Sequence, residues 1–197
     1  MSRLINAAET IAQLPTMRWT VERYHQMIKG GFLNEYDRVE LLFGKLVSMS
    51  PVGIDHRRTV NKIMRRLTEE FPESSHYIDV QNPVTLTDDS EPEPDLYVAL
   101  GPSKRYAQRH PQASDLLLVI EVSDSTLQYD RTAKQLSYAL SAVSEYWIIN
   151  LYEKQVERYT DPQPAEGTYA DFQVFKRGDT IESLHLGRFA VDELLID

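Results

Sequence analysis

Hydrophobic and polar positions near the start of this chain predict a helix followed by a β-hairpin. Thr20 can cap a helix in the run VERYHQMIKGG, and Gly30 and Gly31 mark its end. The segment RVELLFGKLVSMSP then predicts two strands, near 38–43 and 45–50, with a glycine at the turn between them. The chain is therefore expected to enter its core through a helix and a hairpin.

A second helix is predicted between Gly53 and Phe71, where apolar side chains recur at helical spacing and Pro72 follows. The next segments are typical of strands: HYIDVQ, PVTLT, DLYVAL and DLLLVIEVS. The last of them is apolar nearly throughout, as expected of a central strand that is covered on both faces.

The region around this last strand predicts a right-handed β-α-β unit. Its strands lie at 115–123 and 145–151, and residues 128–143 form the helix between them. The apolar side of that helix carries Leu136, Ala139, Leu140 and Val143. Because VERYT and ADFQVF continue the sheet, we predict an α/β fold in which a mixed β-sheet is flanked by α-helices.

The length and composition are typical of one globular domain. The chain has 197 residues, of which 42% are hydrophobic and 26% charged, so it can bury a core without cross-links. We divide it into an N-terminal helix and hairpin (20–50), a central core (53–160) and C-terminal strands (161–197). The absence of cysteine excludes disulfides and thiolate metal sites.

Hydropathy indicates where in the cell the protein is expected, and net charge limits the kinds of partner that it could bind. The longest aliphatic run, LLLVI at 116–120, is far shorter than the ~20 residues that span a bilayer, and the N-terminus lacks the apolar region of a signal peptide. We therefore expect a cytoplasmic protein that does not bind membranes. The net charge of −9 argues against indiscriminate nucleic-acid binding, so any such role would need a local basic surface.

Two carboxylates stand at the ends of apolar strands, where negative charge is unfavourable. Asp95 begins DLYVAL, and Glu121 lies near the end of DLLLVIEVS. If the strands are neighbours, ionised carboxylates ~4 Å apart would repel by ~4 kcal/mol at an effective dielectric constant of ~20. A divalent cation, a lysine or a shared proton must offset that repulsion. Lys134 follows in DRTAKQLSYALS, and Asp, Glu and Lys beside a metal suggest a phosphodiester hydrolase site.

Each of these residues also has a structural interpretation. Asp95 could occupy a turn after a proline, and Glu121 could form a buried pair with an arginine. Asp130, Lys134 and Tyr138 share one face of the predicted helix, where Asp130 and Lys134 could form an exposed ion pair. Lys134 gains a catalytic role only if the helix turns this polar face towards the carboxylates.

Four segments carry a resemblance to a known protein family. They are VELLFGKLVSMSPVGIDH, EPEPDLYV, LLLVIEVSDST and EYWIIN, within residues 20–160. In these segments the sequence resembles the Uma-type family of restriction endonucleases, in the PD-(D/E)XK nuclease superfamily. The resemblance implies a restriction-endonuclease-like fold and a divalent-metal site in which Asp95 and Glu121 are ligands.

The resemblance also implies further site residues. Glu40 matches the family's glutamate in the hairpin and is expected as a third metal ligand, although strand alternation alone would allow it to face solvent. The superfamily's basic residue usually stands two positions after the second acid, where this chain has Ser123, and the family's helix lysine corresponds to Lys134. Asn150 replaces an aspartate that is usual in the family, and we interpret it as structural. The second-tier candidates are His56, Asp130 and Tyr138.

A phosphate backbone would need a basic surface on this acidic chain. Arg58, Lys62 and Arg65 lie on one face of the second helix, and Lys104 and Arg105 lie in a later loop. A solvated helix face is the ordinary explanation for such residues. The three helix residues nevertheless form the densest positively charged stripe in the sequence. We therefore expect them, together with the two loop residues, to be candidate DNA contacts.

The sequence therefore predicts a nuclease that hydrolyses DNA phosphodiester bonds with Mg²⁺ or Mn²⁺. Asp95, Glu121 and Lys134 are the expected catalytic residues. The alternative is a catalytically inert nuclease-fold module that binds DNA or a protein. A homodimer is also expected, because it would suit cleavage of both strands of a duplex. The aromatic residues that could form its interface are Tyr152, Tyr159, Tyr169 and Phe172.

Overall fold

The chain enters the fold through a short helix and a β-hairpin, as the sequence predicts. A computed structural model describes residues 16–34 and 36–196. Helix α1 (Val21–Lys29) begins where the Thr20 side chain accepts a hydrogen bond from the Arg23 N–H at 3.3 Å. Strands β1 (Val39–Leu42) and β2 (Lys45–Ser48) then pair antiparallel.

Helix α2 (Ile54–Glu70) confirms the helix predicted before Pro72. Its buried side chains are Thr59, Val60, Ile63 and Leu67, which follow the helical spacing seen in the sequence. The helix ends at Phe71, the residue before the proline, because a residue preceding proline is disfavoured in the helical conformation.

A mixed six-stranded sheet forms the centre of the molecule. Its strands, in chain order and also in spatial order, are β3 (His76–Asp79), β4 (Leu96–Leu100), β5 (Leu116–Ser123), β6 (Glu145–Asn150), β7 (Gln155–Gln163) and β8 (Thr168–Lys176). Strands β5 and β6 are parallel, and every other neighbouring pair is antiparallel. The α/β fold class and the central position of β5 are confirmed.

Alternate residues of β5 and β6 enter two separate hydrophobic clusters. On one face, Ile120 and Trp147 pack with side chains of α2. On the other face, Val119 and Tyr146 pack with Tyr138 from the helix that connects the two strands. Both strands are thus covered on both faces, which explains their nearly continuous apolar sequences. Glu121 follows the alternation of Val119 and faces the connecting helix.

The connecting helix, α3, contains a π-helical segment. It runs as Leu127–Tyr129, then a π segment at Asp130–Lys134, then Gln135–Leu140. The expectation that Leu136 and Leu140 lie on the packed side is wrong, because they are 38% and 42% exposed. The π segment interrupts the α-helical periodicity, so Asp130, Lys134 and Tyr138 face the sheet instead.

The segment PVTLT is not a strand, contrary to the sequence prediction. It forms only isolated bridges, in which Thr85 pairs with Gln112 and Thr87 pairs with Ser90. At the other end of the chain, β9 (Thr180–Ser183) and β10 (Gly187–Ala190) form a separate hairpin, followed by helix α4 (Val191–Leu194). This C-terminal unit packs on the α2 side of the sheet.

The four aromatic residues expected at a dimer interface occupy different environments. Tyr152 and Phe172 are 87% and 52% exposed. Tyr169 is buried beside Tyr146, and Tyr159 is half-buried against the same cluster, so the expectation of exposure is wrong for both. Within residues 16–34 and 36–196, no helix combines the length and apolar character that crossing a bilayer would require.

Phe189 provides a test of the C-terminal packing. Its ring is fully buried, with its centroid 5.6 Å from that of Trp147 and 6.3 Å from that of Phe71. Phe189→Ala should destabilise the protein by about 3–5 kcal/mol, because it removes a buried aromatic ring and leaves a cavity. The matched control is Leu184→Ala, since Leu184 is 54% exposed. Equal denaturation midpoints for the two variants would contradict this packing.

Candidate active site

Asp95 and Glu121 lie opposite each other at one end of the β4–β5 pair. Leu96 pairs with Ile120, so the same antiparallel register, continued by one residue, places Asp95 beside Glu121. Two hydrogen bonds connect the positions: the Val122 N–H donates to Asp95 Oδ2 at 2.9 Å, and the Asp95 N–H donates to Glu121 Oε2 at 3.2 Å. Directly opposed residues have Cβ atoms about 4.5–5.5 Å apart, so both carboxylates share one small region.

Lys134 is buried and lies between two carboxylates. Its Nζ atom is 2.7 Å from Glu40 Oε2 and 3.1 Å from Glu121 Oε1. The side chains of Lys134, Glu40 and Glu121 are 4%, 3% and 5% exposed. The alternative of an exposed Asp130–Lys134 pair is therefore wrong, because α3 turns its polar face towards the carboxylates.

Two tyrosine hydroxyls and a backbone N–H add hydrogen bonds to the carboxylates of this buried network. The Tyr138 hydroxyl donates to Glu121 Oε1 at 2.7 Å, and the Tyr129 hydroxyl donates to Glu40 Oε1 at 3.0 Å. The Glu93 N–H donates to Glu40 Oε2 at 3.0 Å. Neither Tyr129 nor Glu93 was singled out in the sequence, although Glu93 belongs to EPEPD, where alternate acids in an extended segment point to one side.

Asp130 is held within the first turns of α3. Its Oδ2 atom accepts hydrogen bonds from the Ser123 hydroxyl at 2.6 Å and from the Thr126 hydroxyl at 2.7 Å. Ser123 occupies the position where the superfamily usually has its basic residue, and here it fixes the start of the helix that carries Lys134. Asp130 therefore orients the lysine helix and does not contact the lysine as an exposed partner.

His56 reaches the same end of the sheet from the first turn of α2. Its Nε2 atom is 2.9 Å from Asp95 Oδ2, the distance of a hydrogen bond in which the ring N–H donates. The other ring nitrogen, Nδ1, is buried and has no hydrogen-bond partner among the described residues. Within the described part of the chain, the second oxygen of Asp95 has only one long hydrogen-bond contact, at 3.4 Å from the Gln81 amide. Asp95 therefore retains acceptor capacity towards the pocket.

Burial and neighbouring charges shift the protonation of the network. Burial raises the pKa of Glu121 to about 8, although Lys134 opposes the rise and Asp95 adds to it. Burial alone would lower the pKa of the Lys134 ammonium, but Glu121 and Glu40 outweigh it, so the net pKa lies above its ordinary value. Lys134 is consequently a permanent cation in this site, and Glu121 carries a charge that the protein accommodates poorly.

The carboxylates line a pocket of about 240 Å³ that opens to solvent. Its walls come from the hairpin, the start of α2, the segment before β4 and the start of α3. Arg38 also lines the pocket, and no sequence pattern distinguished it from other exposed arginines. Burial and Glu40 raise the pKa of Glu93, whereas Lys134 and Arg38 oppose that rise. The predicted site residues that line this pocket are Glu40, His56, Asp95, Glu121, Asp130 and Lys134.

The predicted basic residues lie outside this pocket, and several have partners. Arg58 forms an ion pair with Asp55 at 3.1 Å. Lys62 donates hydrogen bonds to the Asp192 and Leu195 carbonyl oxygens at 2.8 and 2.6 Å. Arg105 is 3.6 Å from Asp115, whereas Arg65 and Lys104 are exposed. These five side chains do not line the pocket, whereas Arg38 does.

The donor chemistry fits a divalent cation between Asp95 and Glu121. Both supply carboxylate oxygens, the ligand type that Mg²⁺ and Mn²⁺ prefer. Among the described residues, however, Asp95, Glu121 and Glu40 do not bring one ligand atom each within 4.8 Å of one another. Glu40 is instead occupied by Lys134 and Tyr129, so its role as a third ligand stays a prediction.

This arrangement, a mixed sheet with paired acids and a lysine at one end, defines a nuclease-like α/β domain. The family model "Uma2: Putative restriction endonuclease" matches residues 21–192, and the chain belongs to this family. The fold is similar to the crystal structure of a "putative nuclease belonging to DUF820" from Anabaena variabilis ATCC 29413, with a TM-score of 0.69 and 15% identity. That similarity covers 89% of this chain and 96% of the other. A comparison with curated proteins finds no match.

Replacing Lys134 tests the network directly. Lys134→Met should destabilise the protein by about 3–5 kcal/mol, because Glu40 and Glu121 lose the cation that lies between them. The second change in Lys134→Met/Glu40→Gln should restore part of that loss. Denaturant titrations can compare both variants with Lys45→Met, which changes an exposed lysine in β2. If Lys134→Met lowers the free energy of unfolding as little as Lys45→Met does, the buried network is contradicted.

The raised pKa of Glu121 predicts a pH-dependent difference in stability. The pKa of Glu121 is about 8 in the folded protein and 4.5 ordinarily. The stabilisation that protonated Glu121 adds to the free energy of unfolding is therefore fully present below pH 4.5 and is lost as pH rises towards 8. Glu121→Gln cannot ionise at this position, so the metal-free variant should become more stable relative to the wild type as pH rises from 4.5 to 8. The expected gain in melting temperature is at least about 2–4 °C.

Melts with a chelator present should be compared with Glu182→Gln, because Glu182 is 73% exposed. The melting temperature of that control should differ from that of the wild type by a nearly constant amount from pH 4.5 to pH 8. A constant difference for Glu121→Gln would show instead that Glu121 is ionised in the folded protein throughout this range.

Proposed function

We propose that this protein is a Mg²⁺-dependent endonuclease that hydrolyses DNA phosphodiester bonds. The observation that carries the proposal is the pair of carboxylates formed by the partly exposed Asp95 and the buried Glu121, which are opposed in register beside Lys134 at the wall of an open pocket. A purely structural role would not require so many charges at one end of a sheet, since burying charge is unfavourable. Membership of the family supports the same reaction class.

Asp95 and Glu121 would hold the cation, together with the Val122 carbonyl and water. A bound Mg²⁺ supplies a more acidic coordinated water and offsets negative charge on the phosphate. The protein prepares for this by keeping Asp95 accessible while its Oδ2 atom is fixed by the Val122 N–H and by His56. His56 acts on Asp95 and not on the substrate, so we assign it a positioning role.

Lys134 would stabilise the negative charge that develops on the phosphoryl oxygens. Its pKa is raised, so it keeps its proton and is unsuited to act as a general base. Its ammonium is already oriented by Glu40 and by the Glu93 carbonyl at 3.5 Å, so little rearrangement is needed during the reaction. The proton acceptor for the attacking water would then be solvent or a phosphate oxygen.

DNA would reach the pocket along a surface that includes Arg38. Arg38 is exposed and lines the pocket, whereas Lys134 in the same lining is buried. The basic residues predicted from the sequence lie outside the pocket and are proposed as outer phosphate contacts: Arg58, Lys62, Arg65, Lys104 and Arg105. A homodimer that cuts both strands remains part of the proposal, and the exposed Tyr152 and Phe172 are its candidate contacts.

A catalytically inert module that binds DNA or a protein is a second candidate. The observation that favours it is Lys134, which already compensates Glu40 and Glu121 without a metal ion. Asp95 distinguishes the two functions, because its carboxylate has no lysine or arginine partner among the described residues and faces the pocket.

Cleavage assays on plasmid DNA with Mg²⁺ or Mn²⁺ test the proposed reaction. Asp95→Asn and Glu121→Gln should each reduce the rate by at least about 100-fold, the scale expected when one charge-stabilising group is lost. The control Asp161→Asn changes an exposed residue of β7 outside the pocket and should leave the rate unchanged. If the purified wild type neither cuts DNA nor gains thermal stability with these ions, the inert module is favoured.

Arg38 predicts a separate effect on DNA affinity. Arg38→Gln should weaken binding and reduce the dependence of log K on log salt by about one unit, because one phosphate contact is lost. Filter binding or fluorescence anisotropy at several salt concentrations can measure this in Ca²⁺ buffer. Arg188→Gln is the matched control, since Arg188 is 75% exposed in β10 and lies outside the pocket lining. Identical salt slopes for Arg38→Gln and the wild type would remove Arg38 from the interface.

A further inference from the structure

Three segments that are distant in sequence bring two histidines and a glutamate together outside the pocket. His25 lies in α1, Glu91 in the segment before β4, and His110 in the loop between β4 and β5. One ligand atom from each residue lies within 4.8 Å of the others. His25 Nε2 is 2.5 Å from Glu91 Oε1, and the two imidazole centroids are 5.8 Å apart.

Glu91 is a buried carboxylate that lacks a permanent cation. It is 1% exposed, and no lysine or arginine of the described residues forms an ion pair with it. Its Oε2 atom accepts a hydrogen bond from the Thr85 hydroxyl at 2.6 Å. A buried charge in such surroundings is stabilised by a cation.

We propose that His25, Glu91 and His110 bind one Zn²⁺ ion. Two imidazoles and one carboxylate form a ligand set typical of zinc, with bonds of about 2.0–2.2 Å and a fourth position open to water. Mg²⁺ and Ca²⁺ prefer oxygen ligands and would not compete well for this set. The Thr85 hydroxyl fixes the second oxygen of Glu91, as outer hydrogen bonds commonly do for metal ligands.

Zinc would replace the hydrogen bond between His25 and Glu91. Ligand atoms around a tetrahedral Zn²⁺ are roughly 3.3 Å apart for these bond lengths, so the 2.5 Å contact must widen. His25 can move to allow this, because its side chain is 45% exposed at the surface of α1. His110 has no hydrogen bond from its ring to the described part of the protein, so its imidazole is available as a ligand.

The ion would tie the N-terminal helix and the loop before β5 to the hairpin. The backbone of Glu91 already pairs with Leu41, through N–H···O hydrogen bonds of 2.7 and 3.4 Å. Leu41 follows Glu40, which holds Lys134 in the pocket. The site is therefore structural, and it shares no ligand with the proposed Asp95–Glu121 metal site.

Calorimetric titration of the metal-free chain with Zn²⁺, in saturating Mg²⁺, tests the proposal. The Mg²⁺ occupies oxygen sites such as Asp95 and Glu121, so one equivalent of Zn²⁺ should still bind. His110→Ala and His25→Ala should each weaken that binding by at least about 100-fold, more than the loss of an outer hydrogen bond usually produces. Thr85→Val, which removes the outer hydrogen bond, should weaken it about 10-fold.

Two further variants separate this site from other zinc ligands. His185→Ala removes an exposed histidine elsewhere on the surface and should leave Zn²⁺ affinity unchanged. Asp95→Asn should also retain the Zn²⁺ equivalent, whether or not the protein cleaves DNA. Zn²⁺ should raise the melting temperature of the wild type but not that of His110→Ala. Unchanged affinity in both His25→Ala and His110→Ala, or no Zn²⁺ equivalent in the wild type, would overturn the proposal.

Discussion

The site depends on the burial of Lys134 between Glu40 and Glu121. Two carboxylates and an ammonium share a region that is almost closed to water, where leaving any one of them unpaired is strongly unfavourable. The contact joins three parts of the chain: the first hairpin, strand β5 and helix α3. The hairpin, which pairs with no strand of the central sheet, is therefore held against it by charge as well as by apolar packing.

This constraint also explains the local geometry of α3. A regular amphipathic helix would present Leu136 and Leu140 to the sheet, but both are largely exposed. The π segment at Asp130–Lys134 turns Lys134 inward, and hydrogen bonds from Ser123 and Thr126 to Asp130 hold the start of that segment. π segments are frequent at functional sites because they present side chains that regular helices cannot.

The sequence predicted the sheet and the paired acids because both depend on short-range patterns. Uninterrupted apolar strands indicated β5 and β6, and acids at strand ends indicated Asp95 and Glu121. The inward direction of Lys134 depends on tertiary contacts that interrupt helical periodicity, so a helical wheel could not reveal it. The approach of His25 to His110 also lay beyond the sequence, because it depends on how α1 and a loop pack against the segment before β4.

The network of Glu40, Glu121 and Lys134 is expected to differ between the metal-free and the metal-bound protein. Without a metal, Lys134 and the Tyr138 hydroxyl stabilise the charge of Glu121, whose pKa is raised by burial. A cation beside Asp95 would favour the ionised form of Glu121 and leave Lys134 free to act on a phosphate. The paired acids, the lysine and the open pocket are thus parts of one electrostatic arrangement, and family membership is consistent with its use on a phosphodiester.

Anomalous diffraction from crystals soaked in Mn²⁺ tests the central claim most directly. The account predicts one anomalous peak in the pocket, within about 2.5 Å of a carboxylate oxygen of both Asp95 and Glu121. The same peak should be absent from crystals of Asp95→Asn treated in the same way. A fully soaked wild-type crystal with no peak there, and with Lys134 still bridging Glu40 and Glu121, would contradict the claim that these acids form a metal site.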